Sequence, residues 1–239
     1  MRIAFISDIH GNANALDAVL KDIQNRQVER VYVLGDIAYR GPEPQRSVDL
    51  VRSLDTFVIK GNADEWVVRG VEQGEVPDHV LEMMRLERDW IYSQMDQESI
   101  QYLNDLPTEL KLEAEGVHIH AYHATPDNLF DIVLPHESEE LIRTKMMVKD
   151  ADLYVYAHIH RPFIRYINGK CIINLGSVGL PFDGLPKASY ALIDIHEGSF
   201  QTSIVRVDYD IQKTIQQFEE SDYPNKEKLI QVLKTAKQP

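Results

Sequence analysis

Three apolar runs in the first sixty residues each end in a tight polar turn that carries Asp or Asn. Ile3–Ser7 runs into Asp8-Ile9-His10-Gly11-Asn12, Val31–Leu34 into Gly35-Asp36, and Thr56–Lys60 into Gly61-Asn62-Ala63-Asp64. Amphipathic stretches separate the runs. Asn14–Gln27 carries Ala15, Leu16, Val19, Leu20 and Ile23 on one stripe, and about Pro44–Ser53 is the second such stretch, as buried helix faces require. This alternation predicts β-α-β-α-β with a largely parallel sheet. Polar residues then sit beyond the carboxyl ends of the strands, where open α/β sheets bind ligands. Residues two apart on a strand point to one face, so Asp8 and His10 can reach one point. The plainer alternative is that Asp8 and Asn12 only cap the first helix. Glycine before each polar tip lets the backbone turn tightly and approach a ligand.

Residues 64–106 leave this alternation. Many charges with interspersed Trp66, Trp90, Tyr92 and Leu103 predict a helical insertion of two or three helices. Its aromatics either pack that insertion or form a lid facing a base or aryl group. Glu109–Ala114 and Val117–Tyr122 read as a hairpin. Period-two alternation puts Val117, Ile119, Ala121 and His123 on one face and His118, His120 and Tyr122 on the other, so His118 and His120 are expected on the surface or the opposite sheet face. A helix is expected at about Ser138–Met147. A strand at Leu153–Ala157 closes on His158-Ile159-His160. Short strands Phe163–Ile167 and Lys170–Asn174 join through Asn168-Gly169, a strong hairpin signal. Strands Ser189–Asp194 and Ser199–Val207 are expected to complete a second sheet. Helices follow at about Ile211–Phe218 and Lys226–Thr235. The whole reads as one domain over 1–239, with the insertion at about 64–106 and a helical tail at about 211–236.

Composition narrows the function. No apolar run reaches the ~18 residues of a membrane span, and the chain starts on strand-like sequence with no basic and apolar leader. The one cysteine, Cys171, lies in an apolar run, which excludes disulfides within the chain and fits a reducing cytoplasm. A net charge of −13 disfavours a nucleic-acid backbone as partner. Bound cations would offset part of it locally.

Collected, the polar tips are Asp8, His10, Asp36, Asn62, His123, His158 and His160. Such a set of nitrogen and oxygen donors suits Mn, Fe, Zn, Co or Ni. With no thiolate, a structural zinc cluster is disfavoured. A carboxylate has two oxygens, so one Asp can bridge two cations.

The order Asp-x-His, Gly-Asp, Gly-Asn, His, His-x-His resembles the calcineurin-like metallophosphoesterase superfamily. Residues 35–44 and 174–184 are similar to its small prokaryotic branch, often labelled phosphodiesterases or diadenosine-tetraphosphatase-like proteins. The resemblance implies an α/β fold of two packed, mainly mixed β-sheets flanked by helices. It implies two transition-metal ions, Mn²⁺ or Fe, alternatively Zn²⁺, Ni²⁺ or Co²⁺. Asp8, His10 and His160 would bind one; Asn62, His123 and His158 the other; Asp36 would bridge. A hydroxide between the metals would attack the phosphoryl group in line, with Asp36, Asn62 and His123 at the catalytic centre. Asn12, Gly176 and Ser177 would lie on the phosphate side or support the ligands. Arg40 would grip a phosphate or, in the plainer alternative, form a loop salt bridge. The function implied is a phosphodiesterase acting on small phosphodiesters or nucleotide anhydrides. The alternatives are a phosphomonoesterase or a non-catalytic metal-binding scaffold. Two residues depart from the family pattern. Ala63 stands where the family often has a His that assists the leaving group. Tyr39 stands where the protein-phosphatase version has Asp.

Overall fold

Asn12 starts the first helix by accepting a hydrogen bond from the Ala15 N–H, the N-cap role its side chain suits. In this computed structural model, which describes residues 1–238, the chain opens with β1 (Arg2–Ile6), α1 (Ala13–Asn25), β2 (Arg30–Val33) and α2 (Pro44–Ser53). Three helices follow: α3 (Asn62–Arg69), α4 (Asp78–Ser93) and α5 (Gln97–Asp105). Next come the hairpin β3 (Glu109–Ala114) and β4 (Val117–Tyr122), then α6 (Glu139–Met146) and β5 (Leu153–Tyr156). A second hairpin, β6 (Phe163–Ile167) and β7 (Lys170–Asn174), turns at Asn168-Gly169, both with positive φ, as a type I′ turn requires. The chain closes with β8 (Ala188–His196), β9 (Ser199–Val207), α7 (Ile211–Glu220) and α8 (Lys226–Thr235).

The strands form two mixed sheets, ordered β2-β1-β8-β9 and β3-β4-β5-β7-β6. Their inner faces meet in one apolar layer. Ile3 and Phe5 of β1 and Ile193 of β8 lie in the same cluster as Ile119, Val155 and Ile173 of the other sheet. Period-two alternation sends Ala4 and Ile6 of β1 to the opposite face, into a cluster with Leu16, Val19 and Phe218. Behind the second sheet, Tyr122, Tyr154 and Ile172 pack with Ile142 and Met146 of α6. The layers are therefore helix, sheet, sheet, helix. The α3–α5 segment has no separate core: Trp66, Met84, Ile91 and Leu103 belong to the cluster that buries α1.

Three sequence expectations change. The apolar run at 56–60 is not a strand; it touches β2 through one bridge, Val33 to Val58. Phe57 is exposed and the Lys60 N–H turns away to Pro107 O, so the run leaves the ladder after one step. The last two strands do not complete the second sheet. β8 pairs antiparallel with β1, from Arg2 opposite Asp194 to Phe5 opposite Ala191. β8 is apolar on both faces, with Tyr190 and Leu192 in one cluster and Ala191 and Ile193 in the other, which suits a central strand. With β8 there, the first sheet is mixed rather than largely parallel. His118 and His120 do face away from His123. His118 is exposed beside Asp152, whereas His120 is buried and bonds Glu109 across the hairpin at 2.9 Å.

Phe5 is fully buried between the sheets and Phe57 is 45% exposed. Phe5→Ala is expected to lower unfolding stability by about 3–5 kcal/mol, and Phe57→Ala by about 0.5 kcal/mol or less. Urea midpoints measure both, and equal effects would contradict the placement of the core.

Candidate active site

The seven polar tips come together where the strand ends of the two sheets meet. The mechanism is not strand alternation. β1 ends at Ile6, and Asp8 and His10 lie beyond it with φ of 52° and 49°. Asp36 (53°), Arg40 (68°), His158 (67°) and His160 (54°) share this left-handed conformation. Non-glycine residues seldom adopt it and pay about 1–3 kcal/mol each. Cross-loop hydrogen bonds hold the strained turns. The Asp8 N–H donates to Gly35 O at 3.1 Å, and the His10 N–H to Asp36 O at 3.0 Å. Two glycines let the loops close in. A Cβ on Gly35 would lie 2.2 Å from Gly61 N, and one on Gly61 would lie 2.1 Å from Asp36 Oδ1.

Each aspartate anchors one oxygen and presents the other. The His158 N–H donates to Asp8 Oδ2 at 3.2 Å, while buried Asp8 Oδ1 has no hydrogen-bond partner. The Ala63 N–H donates to Asp36 Oδ1 at 2.8 Å. Asp36 Oδ2 lies 3.7 Å from His10 Nε2 and 3.3 Å from His123 Nε2.

The imidazoles are oriented by backbone carbonyls. His10 Nδ1 donates to Tyr39 O at 2.8 Å, His123 Nδ1 to Leu34 O at 2.7 Å, and His160 Nδ1 to Leu180 O. A carbonyl only accepts, so each ring carries its proton on Nδ1 and a neutral ring then offers a lone pair at Nε2. His10 Nε2 and His160 Nε2 face each other at 3.1 Å. Two lone pairs at that distance repel unless an electrophile lies between them. Burial and the neighbouring His160 ring push His10 down to about 4, so His10 is held as a neutral donor near neutral pH. Asp8, His10, Asp36 and His160 each offer a donor atom, all within 4.8 Å of one another. The orphaned Asp8 oxygen and the facing imidazoles fit a divalent cation.

The other half of the site is different. Asn62, the first residue of α3, places Oδ1 3.0 Å from His123 Nε2 and 2.8 Å from His158 Nδ1. Burial opposes a charge on His123, but the Asp36 carboxylate outweighs it and raises the ring to about 9. Burial raises Asp36 too, and His123 outweighs it, holding Asp36 below the carboxylate range.

Sequence reasoning gave Asp64 no role. It sits in the first turn of α3, and its carboxylate accepts from three backbone N–H groups: Asp36 at 2.7 Å, Ile37 at 2.9 Å and Gly61 at 2.9 Å. It ties the two glycine turns together. Burial and the Asp36 charge raise it to about 7. The only sequence signal was an acid at the third residue of a helix, a capping position.

The residues proposed on the phosphate side divide. Asn12 is consumed by the α1 cap and by Gly179 O, Tyr209 and Thr214. Ser177 is fully buried and donates to Asp8 O. Gly176, at φ +77°, packs against Ser189. None of these three lines the cleft, so they support the loops from behind rather than contact a substrate; their polar groups are already spent within the protein. Arg40 does line the cleft, with Nε 3.3 Å from buried Glu87. The cleft, of about 490 Å³, also exposes His10, Asp36, Asn62, His158 and His160. A larger hollow of about 610 Å³ around Met1 and Asp194 lies apart from all of them.

Asp64→Asn replaces one acceptor oxygen by an NH₂ group facing backbone donors. It is expected to cost about 1–3 kcal/mol in urea unfolding and to weaken metal binding about ten-fold or more. Unchanged stability and affinity would contradict the tie between the turns.

Comparison with known proteins agrees with this geometry. The family model for the calcineurin-like phosphoesterase superfamily domain matches residues 1–198. Protein MJ0912 of Methanocaldococcus jannaschii is 32% identical, with 93% of each chain covered. A crystal structure of a metallophosphoesterase from Sphaerobacter thermophilus shares 28% identity and a TM-score of 0.80 over 99% of both chains. The fold is also that of hypothetical protein PH1004 from Pyrococcus horikoshii, at 23% identity and a TM-score of 0.86, covering 100% of this chain and 99% of that one. With the match running through every strand end that bears a site residue, the chain belongs to the calcineurin-like phosphoesterase superfamily and is a phosphoester hydrolase.

Proposed function

We propose that the protein is a dinuclear-metal phosphodiesterase acting on small phosphodiesters or nucleotide phosphoanhydrides. One observation carries this reading: Asp36 Oδ2 lies between the two halves of the site, 3.7 Å from His10 and 3.3 Å from His123. Asp8, His10 and His160 would hold one cation and Asn62, His123 and His158 the other, with Asp36 shared. Cations of the Mn, Fe, Zn, Ni or Co type, bound there, lower the pKa of water and offset the charge of phosphoryl oxygens. The remaining work falls to the chain. The carbonyls of Tyr39, Leu34 and Leu180 fix three imidazoles in one tautomer. The Ala63 and His158 N–H groups fix the two aspartates. Arg40, held at Nε by Glu87, lines the cleft with its remaining N–H groups free for a phosphoryl oxygen. Hydrolysis joins a water oxygen to phosphorus and breaks the ester P–O bond; the ester oxygen leaves and takes a proton.

Ala63, which also lines the cleft, has no proton to give. The favoured leaving groups are then those needing little protonation, such as aryl groups or phosphates. Metal-stripped protein is expected to be inactive on an aryl phosphodiester, to regain turnover with Mn²⁺, Ni²⁺ or Zn²⁺, and to lose it again as Asp36→Asn. Two bound metals with no turnover on this ester or a dinucleoside polyphosphate would instead leave a metal-binding scaffold. Ala63→His is expected to raise turnover of alkyl esters over aryl esters by up to about 10²–10⁴-fold, the usual worth of general acid help. An equal change for both would count against the role given to position 63.

A further inference from the structure

The cleft is lined by two unlike sets of residues. One is the histidines with Asp36. The other includes Trp66, Val80, Phe130, Ile132 and Leu134, an apolar wall. Trp66 is central to it, 5.7 Å from the Phe130 ring and 5.9 Å from the Tyr39 ring between centroids. Ile132 is 66% exposed, so apolar surface faces the open cleft without a protein partner.

The polar groups of this wall are already used. Trp66 Nε1 donates to Glu75 at 3.1 Å. Glu75 is further occupied by Arg69 and the Glu72 N–H. The Tyr39 hydroxyl donates to Met84 O at 2.9 Å. Arg40 and Arg161 line the cleft as well, bonded at Nε to Glu87 and to Phe182 O, and both are cations suited to phosphoryl oxygens. Gln238, an exposed amide near the C-terminus, also lines the cleft. A nucleobase presents several donors and acceptors on its edge, and sites that read one supply matching groups. Against this wall those groups would lose water and gain no partner. A phenyl-like ring loses nothing there and gains contact with aromatic faces and edges.

We propose that the wall selects phosphodiesters bearing a compact aromatic, non-nucleoside ester group, which packs along Trp66, Phe130 and Ile132 while Arg40 and Arg161 face the phosphoryl oxygens. This specificity rests on the phosphodiesterase reading above and narrows it, placing nucleoside esters among the poorer substrates.

The test uses three diesters that all release 4-nitrophenolate, so that the leaving group is constant: the phenyl, methyl and thymidine-5′ esters of 4-nitrophenyl phosphate, with manganese-loaded protein. The phenyl ester is expected to exceed both others in kcat/KM by about ten-fold or more. Ile132→Ser, a change at an exposed position, is expected to cut that advantage to about three-fold or less, through KM. A thymidine ester hydrolysed as well as the phenyl ester, or a preference unmoved by Ile132→Ser, overturns the proposal and leaves the phosphodiesterase reading standing. If no ester is hydrolysed, the phosphodiesterase reading fails and calorimetry decides the wall. Phenylphosphonate binding about five-fold tighter than methylphosphonate upholds it, and equal affinities overturn it.

Discussion

Two buried imidazole nitrogens that face each other set the terms for this protein. His10 and His160 turn Nδ1 to backbone carbonyls and meet Nε2 to Nε2 at 3.1 Å. Asp8 Oδ1 lies alongside, buried and without a hydrogen-bond partner. An arrangement of bare acceptors in a buried place is unstable by itself and becomes favourable around a cation. The opposite half reaches the same end differently: without a cation, Asp36 and His123 can share charge as a buried pair. The two halves therefore differ: facing imidazole nitrogens in one, a buried carboxylate–imidazole pair in the other.

The fold serves this constraint. Two sheets buried against each other bring the ends of β1, β4 and β5 to one point, and the residues just beyond those ends take left-handed conformations that only dense cross-loop bonding tolerates. Asp64 supplies three of those bonds from one carboxylate. The same close approach that needs glycine at positions 35 and 61 brings Asp36 within reach of both halves. The strained turns at the site are supported from behind by buried groups such as Ser177 and Asn12.

The residues that meet at the site were legible in the sequence because chemistry marked them: carboxylates and imidazoles at the ends of apolar runs, in a recurring order. How they meet was not legible. Period-two alternation suggested that Asp8 and His10 converge as strand neighbours, whereas both lie past the strand in left-handed turns. The partner of β1 was equally hidden, since β8 is about 190 residues away and its pairing is shown only by apolar residues on both of its faces. Local pattern overstated the run at 56–60, where an exposed Phe57 and the turn toward Pro107 break the ladder. Glu87, which holds Arg40, gave no signal at all, because a buried acid on an otherwise charged helix looks like any exposed one.

The central claim is that Asp36 joins two cation sites. It is tested most directly by crystals of the protein grown with manganese and examined at wavelengths on either side of the Mn absorption edge. The account predicts two anomalous peaks about 3.5–4 Å apart, one among Asp8, His10 and His160, one among Asn62, His123 and His158, each in contact with Asp36. A single peak, or two peaks that Asp36 does not touch, would contradict it.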